Sequence, residues 1–410
     1  MRVVVVGAGM SGCVAGLAAA EAGHDVVILE AAARIGGVLG DHDFDGHRWY
    51  RNCQYLNPDQ PWVQWLATLA ELPLEVFDHH YGSWNDLFGT KVWWNDFAQP
   101  VVRGVLASPM DGTLSFASLD DRLRAYPPRV SEPIRRWATR YGDLTLLDAD
   151  NANPLQVGRV LLADDIEGVR KERFASVVAD QLYGLPRTLR AASIEPAALP
   201  VGGWSAAMVR IAAALERRGA VLRCRSTVRP SLSPEGKLQV AVRGEIVPAD
   251  LVVWCANPNP LVTALGLRPL DSWVTRMLNL LGEVESGMPA QPMYWQIFAR
   301  GSPLVRVYAY RLRERALATF EAFDDDTPAT ELEESVRSIS GDLGLGLTAE
   351  SLRRVSDRRF VLLTQRDREV LRELEELAVG IGLVTGGWHT YGRDPRIAHV
   401  LSNLRRWAER

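Results

Sequence analysis

The hydrophobic pattern is clearest at the start of the chain. Residues 3–6 form a continuously apolar, β-branched run, which is typical of a strand that is buried on both faces. Residues 13–22 are rich in Ala and Leu and predict a helix, and residues 25–29 form a second apolar run. A strand, a helix and a further strand in this order predict the first unit of a parallel α/β sheet.

Further along, the pattern predicts a helix over residues 61–71, a hairpin over 87–93 and a long helix over 205–217. Residues 292–299 and 304–312 read as paired strands, and residues 331–339 and 367–378 as helices. At the end, a short strand over 381–385 precedes a helix over 396–408, which Pro395 opens. Residues 115–183 are charged and predict a helical insertion.

Three glycines separate the first strand from the first helix at the spacing G-x-G-x-x-G. Gly7 permits a tight turn, Gly9 lets the backbone approach a diphosphate, and Gly12 lets the helix pack closely on the strand. The diphosphate would bind the free N–H groups of the helix start, at Met10 and Ser11. The sequence therefore predicts a dinucleotide-binding fold.

The second strand ends in an acidic residue, Glu30, about 20 residues after the glycines, where a carboxylate can accept hydrogen bonds from an adenosine ribose. A second glycine pair follows this strand. It is expected to bring another stretch of backbone to the same cofactor. The candidate contacts in this stretch are Ala31, Arg34, Gly36, Gly37 and Val38.

The ensemble resembles the FAD-binding signature of a superfamily that contains amine oxidases, protoporphyrinogen oxidase and UDP-galactopyranose mutase. The resemblance is most specific over residues 1–40, 198–258 and 382–408. It implies a bound FAD and a Rossmann-like FAD-binding domain with a parallel sheet, plus an inserted α+β substrate domain. Residues 1–50, 197–265 and 380–410 would form the first, and residues 51–196 and 266–379 the second.

The resemblance also implies further cofactor contacts in this chain. Arg51 and Asn52 would form one wall of the flavin site, where the mutase branch has Gly-Pro-His. The strand around Val228 would lie along the adenine, and the run through Ala256 would return to the parallel sheet. The remaining two contacts lie on the closing strand and helix: Gly387 and Arg396.

The substrate side is less specific. Arg306, Tyr308 and Tyr310 alternate onto one face of a strand that the resemblance places across from the flavin; sheet packing is the alternative interpretation. Trp204 and Tyr391 are further candidates. No catalytic residue is assigned.

Two functions of different kinds follow from the resemblance. The first is an FAD-dependent oxidoreductase, which removes a hydride from an amine, an alcohol or a C–H bond of a small biosynthetic intermediate. The second is a mutase-like, non-redox isomerase of a sugar nucleotide that uses reduced flavin. The mutase branch clamps its diphosphate substrate with an arginine, and Gly387 stands at that position here. Redox catalysis is therefore preferred. A catalytically inactive flavin-binding protein is a third interpretation.

Composition limits the remaining possibilities. With 46 basic and 50 acidic residues, the chain gives no reason to expect nucleic acid as a partner. No stretch approaches the ~20 apolar residues of a membrane span. The four cysteines are scattered, and no metal site is expected. The resemblance places one histidine, His389, near the flavin, although a surface role is the alternative. We expect a cytoplasmic protein acting on a small molecule, with its oligomeric state open.

Overall fold

The structure is a computed structural model of the 410-residue chain. It describes residues 1–44, 47–50, 54–88, 92–93, 116–126, 128–152, 154–157, 194–271, 273–312, 314–323, 327–348 and 352–409. Arg51, Asn52 and most of the predicted helical insertion beyond residue 157 lie outside these ranges.

The described strands are numbered in chain order: β1 Arg2–Val6, β2 Asp25–Leu29, β3 Asp41–Phe44, β4 His47–Tyr50, β5 Leu74–Asn85, β6 Val92–Trp93, β7 Ile194–Pro200, β8 Val221–Arg223, β9 Val228–Leu232, β10 Leu238–Val242, β11 Glu245–Val247, β12 Leu251–Trp254, β13 Trp273–Ser286, β14 Met293–Phe298, β15 Leu304–Leu312, β16 Arg315–Phe323, β17 Gly346–Leu347, β18 Arg353–Leu362 and β19 Leu383–Thr385.

The described α-helices are α1 Met10–Glu21, α2 Pro61–Leu69, α3 Leu119–Arg124, α4 Pro128–Ala138, α5 Gly203–Arg217, α6 Asn259–Ala264, α7 Ala329–Asp342, α8 Gln365–Ile381 and α9 Arg393–Ala408. Two short 3₁₀ helices cover Thr139–Tyr141 and Ala149–Ala152. Within the described residues, no helix combines the length and the apolar character needed to cross a bilayer.

A five-stranded parallel sheet has the order β19-β12-β1-β2-β8. Its strands come from the beginning, the middle and the end of the chain, so segments far apart in sequence meet in one sheet. The prediction of an α/β fold with a parallel sheet is confirmed. The predicted return to this sheet before Ala256 is present as β12, and the short strand predicted over 381–385 is β19, which pairs with β12.

The parallel sheet is covered on both faces, as the continuous apolar runs predict. Alternate residues of β1 enter different cores: Val3 and Val5 pack with α1 and α5, whereas Val4 and Val6 pack with β10 and α8. All four side chains are at most 3% exposed. Burial on both faces is the reason that this strand carries no polar residue between its ends.

A second sheet of nine strands forms the rest of the core. Its order is β17-β13-β16-β15-β14-β5-β6, with β18 paired to β13 and β7 paired to β5. Its described pairings are antiparallel apart from β14 with β5. The pair of strands predicted over 292–312 is present as β14 and β15. β16, which pairs with β15, and β13, which pairs with β16, were not predicted.

Other element boundaries move by a few residues only. The predicted helix over 331–339 extends to Ala329–Asp342, and the last helix begins at Arg393 rather than at residue 396. β3 and β4 pair antiparallel, with Asp41 opposite Tyr50, directly after the second glycine pair. The hairpin predicted over 87–93 begins earlier in the chain, because Ser83 and Trp84 of β5 pair with Trp93 and Val92 of β6.

Close packing of α1 on β1 gives a stability prediction. A Cβ on Gly12 would overlap the carbonyl oxygen of Gly7, a backbone atom that cannot rotate away. We therefore expect Gly12→Ala to destabilise the fold by about 3 kcal/mol or more in urea unfolding. Gly380→Ala is the matched control, since Gly380 is also helical and a Cβ there has nothing within 4 Å.

The control should be neutral or stabilising by up to about 1 kcal/mol, because alanine loses less backbone entropy in a helix. Equal unfolding midpoints for Gly12→Ala and the unmodified chain would show that the helix does not depend on this close approach.

Candidate functional site

The three glycines of the first loop have different surroundings, and each agrees with its predicted task. Gly7 has φ +92°, and a Cβ there would lie 2.8 Å from the backbone nitrogen of Ala256. Gly12 packs against the carbonyl of Gly7. A Cβ on Gly9, in contrast, has no atom within 4 Å, although Gly9 is the N-cap of α1. Open space lies where a diphosphate would approach the helix start.

Glu30 ends β2 beside the same loop. Its carboxylate accepts hydrogen bonds from the backbone nitrogens of Ala8 at 2.7 Å and Ala32 at 2.8 Å. A carboxylate offers about four acceptor positions, so two remain for ribose hydroxyls. The backbone of Glu30 is held in place as well, since the backbone nitrogen of Ser226 donates to the Glu30 carbonyl at 2.8 Å.

The second glycine pair lies against the first loop. Gly36 donates to the carbonyl of Ala8 at 2.7 Å and pairs with Gly9 in an isolated parallel bridge. Both Gly36 and Gly37 have positive φ, at +115° and +60°, and a Cβ on Gly37 would lie 3.2 Å from the Cα of Gly9. Two glycine-rich stretches therefore meet at the start of α1.

A cavity of about 330 Å³ opens beside these loops. It receives residues from the start of α1, the second glycine pair, β15, β18 and the start of α9. Its lining residues are Gly9, Met10, Ser11, Gly36, Val38, Leu39, Gln54, Pro154, Cys255, Arg306, Val361, Tyr391, Gly392, Arg393 and Arg396.

Two helix N-termini face this cavity. Gly9 precedes α1 and Gly392 precedes α9, and both residues line the cavity wall. Helix N-termini present unpaired N–H groups and the positive end of the helix dipole. None of the described lining residues is acidic, whereas three are arginines. The cavity is therefore suited to an anion.

The three arginines are held differently. Arg306 is 7% exposed, lies 3.4 Å from Glu321 and donates to the carbonyl of Pro154 at 3.5 Å. Arg393 donates to the carbonyl of Tyr55 at 2.9 Å. Arg396 donates to a backbone carbonyl at 3.1 Å and has no carboxylate partner within the described parts of the chain. Burial lowers the pKa of Arg396, so this cation is incompletely solvated and uncompensated.

Cys255 lies in the same wall, and its protonation limits its role. Burial raises the pKa of the Cys255 thiol to about 12. The thiolate is the nucleophilic form of cysteine. Cys255 is therefore a neutral, apolar part of the wall at pH 7.

The structure brings many of the predicted site residues together. Eight predicted cofactor or substrate contacts line the cavity: Gly9, Met10, Ser11, Gly36, Val38, Arg306, Tyr391 and Arg396. Tyr391 is 44% exposed. Ala256 lies against Gly7, and the loop after Glu30 leaves Ala31 and Arg34 exposed.

Other predicted residues lie elsewhere. Tyr308 and Tyr310 are 2% and 0% exposed in an aromatic core, where the Tyr310 hydroxyl accepts a hydrogen bond from the Tyr50 nitrogen at 2.9 Å. Trp204 is also fully buried and donates to the carbonyl of Gln54. These three side chains do not line the described cavity, because each is packed inside a buried hydrophobic cluster.

The remaining cofactor candidates are also outside the described cavity wall. Val228 begins β9 in a separate antiparallel sheet. Gly387 is buried against His399, and a Cβ there would lie 3.2 Å from the imidazole. Arg51 and Asn52 lie outside the described residues.

Several wall residues were missed by the sequence reasoning. Gln54, Pro154 and Val361 come from connections and a strand edge that carry no motif. Cys255 could have been predicted, because it directly precedes the predicted contact Ala256 at the end of β12. Arg393 could also have been predicted, since it lies just before Pro395 at a helix start.

Comparison with known sequences supports the first loop. Residues 5–69 match the family described as NAD(P)-binding Rossmann-like domain. An L-amino acid oxidase from Cerastes cerastes is 49% identical over 51 residues, which cover 12% of this chain and 10% of that protein. The chain therefore matches only a tenth of the length of this relative.

Two solved structures resemble the whole chain. Reduced UDP-galactopyranose mutase has a TM-score of 0.70 at 12% identity and covers 100% of this chain and 96% of its own. A putative protoporphyrinogen oxidase from Exiguobacterium sp. 255-15 has a TM-score of 0.66 at 14% identity, with coverages of 100% and 99%. At the level of the fold, the predicted resemblance to protoporphyrinogen oxidase and UDP-galactopyranose mutase is confirmed.

The open space at Gly9 gives a binding prediction. Gly9 has φ −68° and ψ 179°, which valine adopts without strain, so Gly9→Val fills the space while preserving the backbone. We expect this variant to bind FAD or NAD⁺ at least ~100-fold more weakly in a fluorescence titration, because its side chain displaces the diphosphate. Gly301→Val, at an exposed glycine with open surroundings, is the matched control.

The control variant should bind as the unmodified chain does, and both variants should keep the circular dichroism spectrum of the parent. Undiminished dinucleotide binding by folded Gly9→Val would place the diphosphate away from the start of α1.

Proposed function

We propose that the chain is a flavin-dependent oxidoreductase that holds FAD in the cavity between α1 and α9 and oxidises a small substrate. The observation that carries this proposal is the composition of the cavity: two helix N-termini and three arginines without an acidic residue among the described wall. Such a wall favours the diphosphate of a dinucleotide and a neighbouring site where negative charge develops.

The residues fit FAD. Open space at Gly9 admits the diphosphate, and the N–H groups at Met10 and Ser11 are positioned to donate to it. Glu30 keeps acceptor positions for the ribose, and Arg396 supplies an uncompensated cation. When bound, FAD supplies a two-electron acceptor for a hydride from the substrate.

The chain's own residues then bind and orient the substrate. Arg306 is fixed by Glu321 and by the Pro154 carbonyl, so its guanidinium faces the cavity in a defined orientation. A carboxylate or phosphate on the substrate would pair with it. Val361 and Tyr391 line the cavity as well, and both are partly exposed to solvent. Cys255, whose thiol stays protonated, takes no covalent part.

The second candidate is a non-redox isomerase of a sugar nucleotide. It is favoured by one observation: Arg306, Arg393 and Arg396 together could hold a second diphosphate. Against it, the position of the mutase arginine is taken by Gly387, whose neighbourhood is filled by the His399 imidazole. We therefore prefer redox catalysis on a small substrate.

The first prediction concerns the cofactor. Purified protein should be yellow, and heat should release FAD, identified by mass spectrometry, rather than FMN or NAD. Arg396→Met should weaken FAD binding by about 1.5–3 kcal/mol, the range for hydrogen bonds to charged groups. Arg405→Met, in the exposed last turn of the same helix, is the matched control and should bind normally.

A colourless protein that binds only NAD would contradict the assignment of FAD. Equal FAD affinities for the two arginine variants would remove Arg396 from the site.

The second prediction concerns the reaction. Amines, amino acids, alcohols and a UDP-sugar are mixed anaerobically with the oxidised protein, and the visible flavin absorbance is followed. For an oxidoreductase, one substrate class lowers this absorbance without added reductant, and air restores it. For the isomerase, the oxidised protein is inert, and product from the UDP-sugar forms only after reduction by dithionite.

A further inference from the structure

Three side chains from separate elements meet on the outer side of the last strand and helix. Glu375 lies on α8, His389 in the connection after β19, and His399 on α9. Gly387 makes this meeting possible: it has φ +67° and packs on the His399 imidazole, so the connection turns back towards α8. A turn follows, in which Thr390 donates to the Gly387 carbonyl at 3.0 Å.

The spacing of their polar atoms is compact. A carboxylate oxygen of Glu375 lies 3.5 Å from His389 Nδ1 and 3.4 Å from His399 Nε2. All three potential ligand atoms lie within 4.8 Å of one another. A tetrahedral centre with bonds of about 2.0–2.1 Å separates its ligand atoms by roughly 3.3–3.4 Å. Two of the three separations therefore already have the length of a tetrahedral edge.

The hydrogen bonds around these three side chains do not include a short one to His389 Nδ1. His389 Nδ1 is buried from solvent, and its contact with the Glu375 carboxylate is long, at 3.5 Å. The Thr385 hydroxyl and the Asn403 amide each lie 3.0 Å from His399 Nε2, and the Thr385 hydroxyl also donates to Glu375. Arg368 fixes the connection by donating to the His389 carbonyl at 2.9 Å. A cation between His389 Nδ1 and the carboxylate would give both groups a closer partner than this long contact does.

A cavity of about 450 Å³ gives access to the cluster from solvent, so water could complete the coordination. Two imidazoles and one carboxylate are a ligand set typical of zinc and related metals.

We propose that Glu375, His389 and His399 bind one divalent transition-metal ion of the zinc class. The ion would join α8, the connection after β19 and α9. That connection continues directly into Tyr391 and Gly392 on the wall of the dinucleotide cavity. The role of the ion is therefore structural: it fixes the wall that α9 presents to the cofactor. The proposal does not depend on the reaction that the protein catalyses.

The test uses full-length, tag-free protein that has been dialysed against EDTA and then metal-free buffer. Titration with ZnCl₂ in a calorimeter should give one saturable site per chain. Glu375→Gln and His389→Ala should each weaken Zn²⁺ binding by at least ~10-fold, a loss that even supporting residues of metal sites produce. His24→Ala, a histidine outside the cluster, is the matched control and should leave the affinity unchanged.

A second measurement does not require a variant. Co²⁺ added to the unmodified protein should give the visible absorption of four-coordinate cobalt, and Zn²⁺ should abolish it. Zn²⁺ should also raise the melting temperature of the unmodified protein. Absence of saturable Zn²⁺ binding in the unmodified chain would overturn the proposal. So would a Zn²⁺ affinity of folded Glu375→Gln and His389→Ala that equals that of the unmodified chain.

Discussion

The close approach of α1 to β1 is the constraint on which the site depends. The Gly7 carbonyl occupies the volume that a Cβ of Gly12 would need, and Ala256 closes on Gly7 from the next strand. Because the helix begins directly at this turn, its unpaired N–H groups emerge at the carboxyl edge of the parallel sheet, where open α/β sheets bind their ligands. The second N-terminus, that of α9, reaches the same cavity because β19 is the neighbour of β12.

Two helix N-termini and Arg396, which has no carboxylate partner in the described part of the chain, line one cavity. A diphosphate bound there would pair with these groups. Arg306 differs, since Glu321 already compensates it inside the sheet. One arginine is therefore suited to the cofactor, and the other is suited to orienting a substrate. The redox and isomerase candidates both assign one arginine to the cofactor and the other to the substrate. They differ in which substrate Arg306 would orient.

Local sequence rules predicted those parts of the site that lie close together in the chain. The glycine spacing, the acidic strand end at Glu30 and the second glycine pair each carry their own physical reason, and the apolar runs identified the strands of the parallel sheet. What the sequence could not predict depends on distant partners. Tyr308 and Tyr310 alternate along β15 as residues of a binding face would, but they are buried in a cluster of aromatic and apolar side chains from other strands. The neighbourhood of Glu375, His389 and His399 likewise arises only when α8, β19 and α9 assemble.

The most direct test of the proposed cofactor site is an experimental structure of the purified protein with its cofactor. We predict a dinucleotide whose diphosphate oxygens lie within about 3 Å of the backbone nitrogens at the start of α1, with Arg396 paired to the cofactor. A diphosphate bound elsewhere, or a cavity between α1 and α9 that is filled by protein side chains, would contradict it.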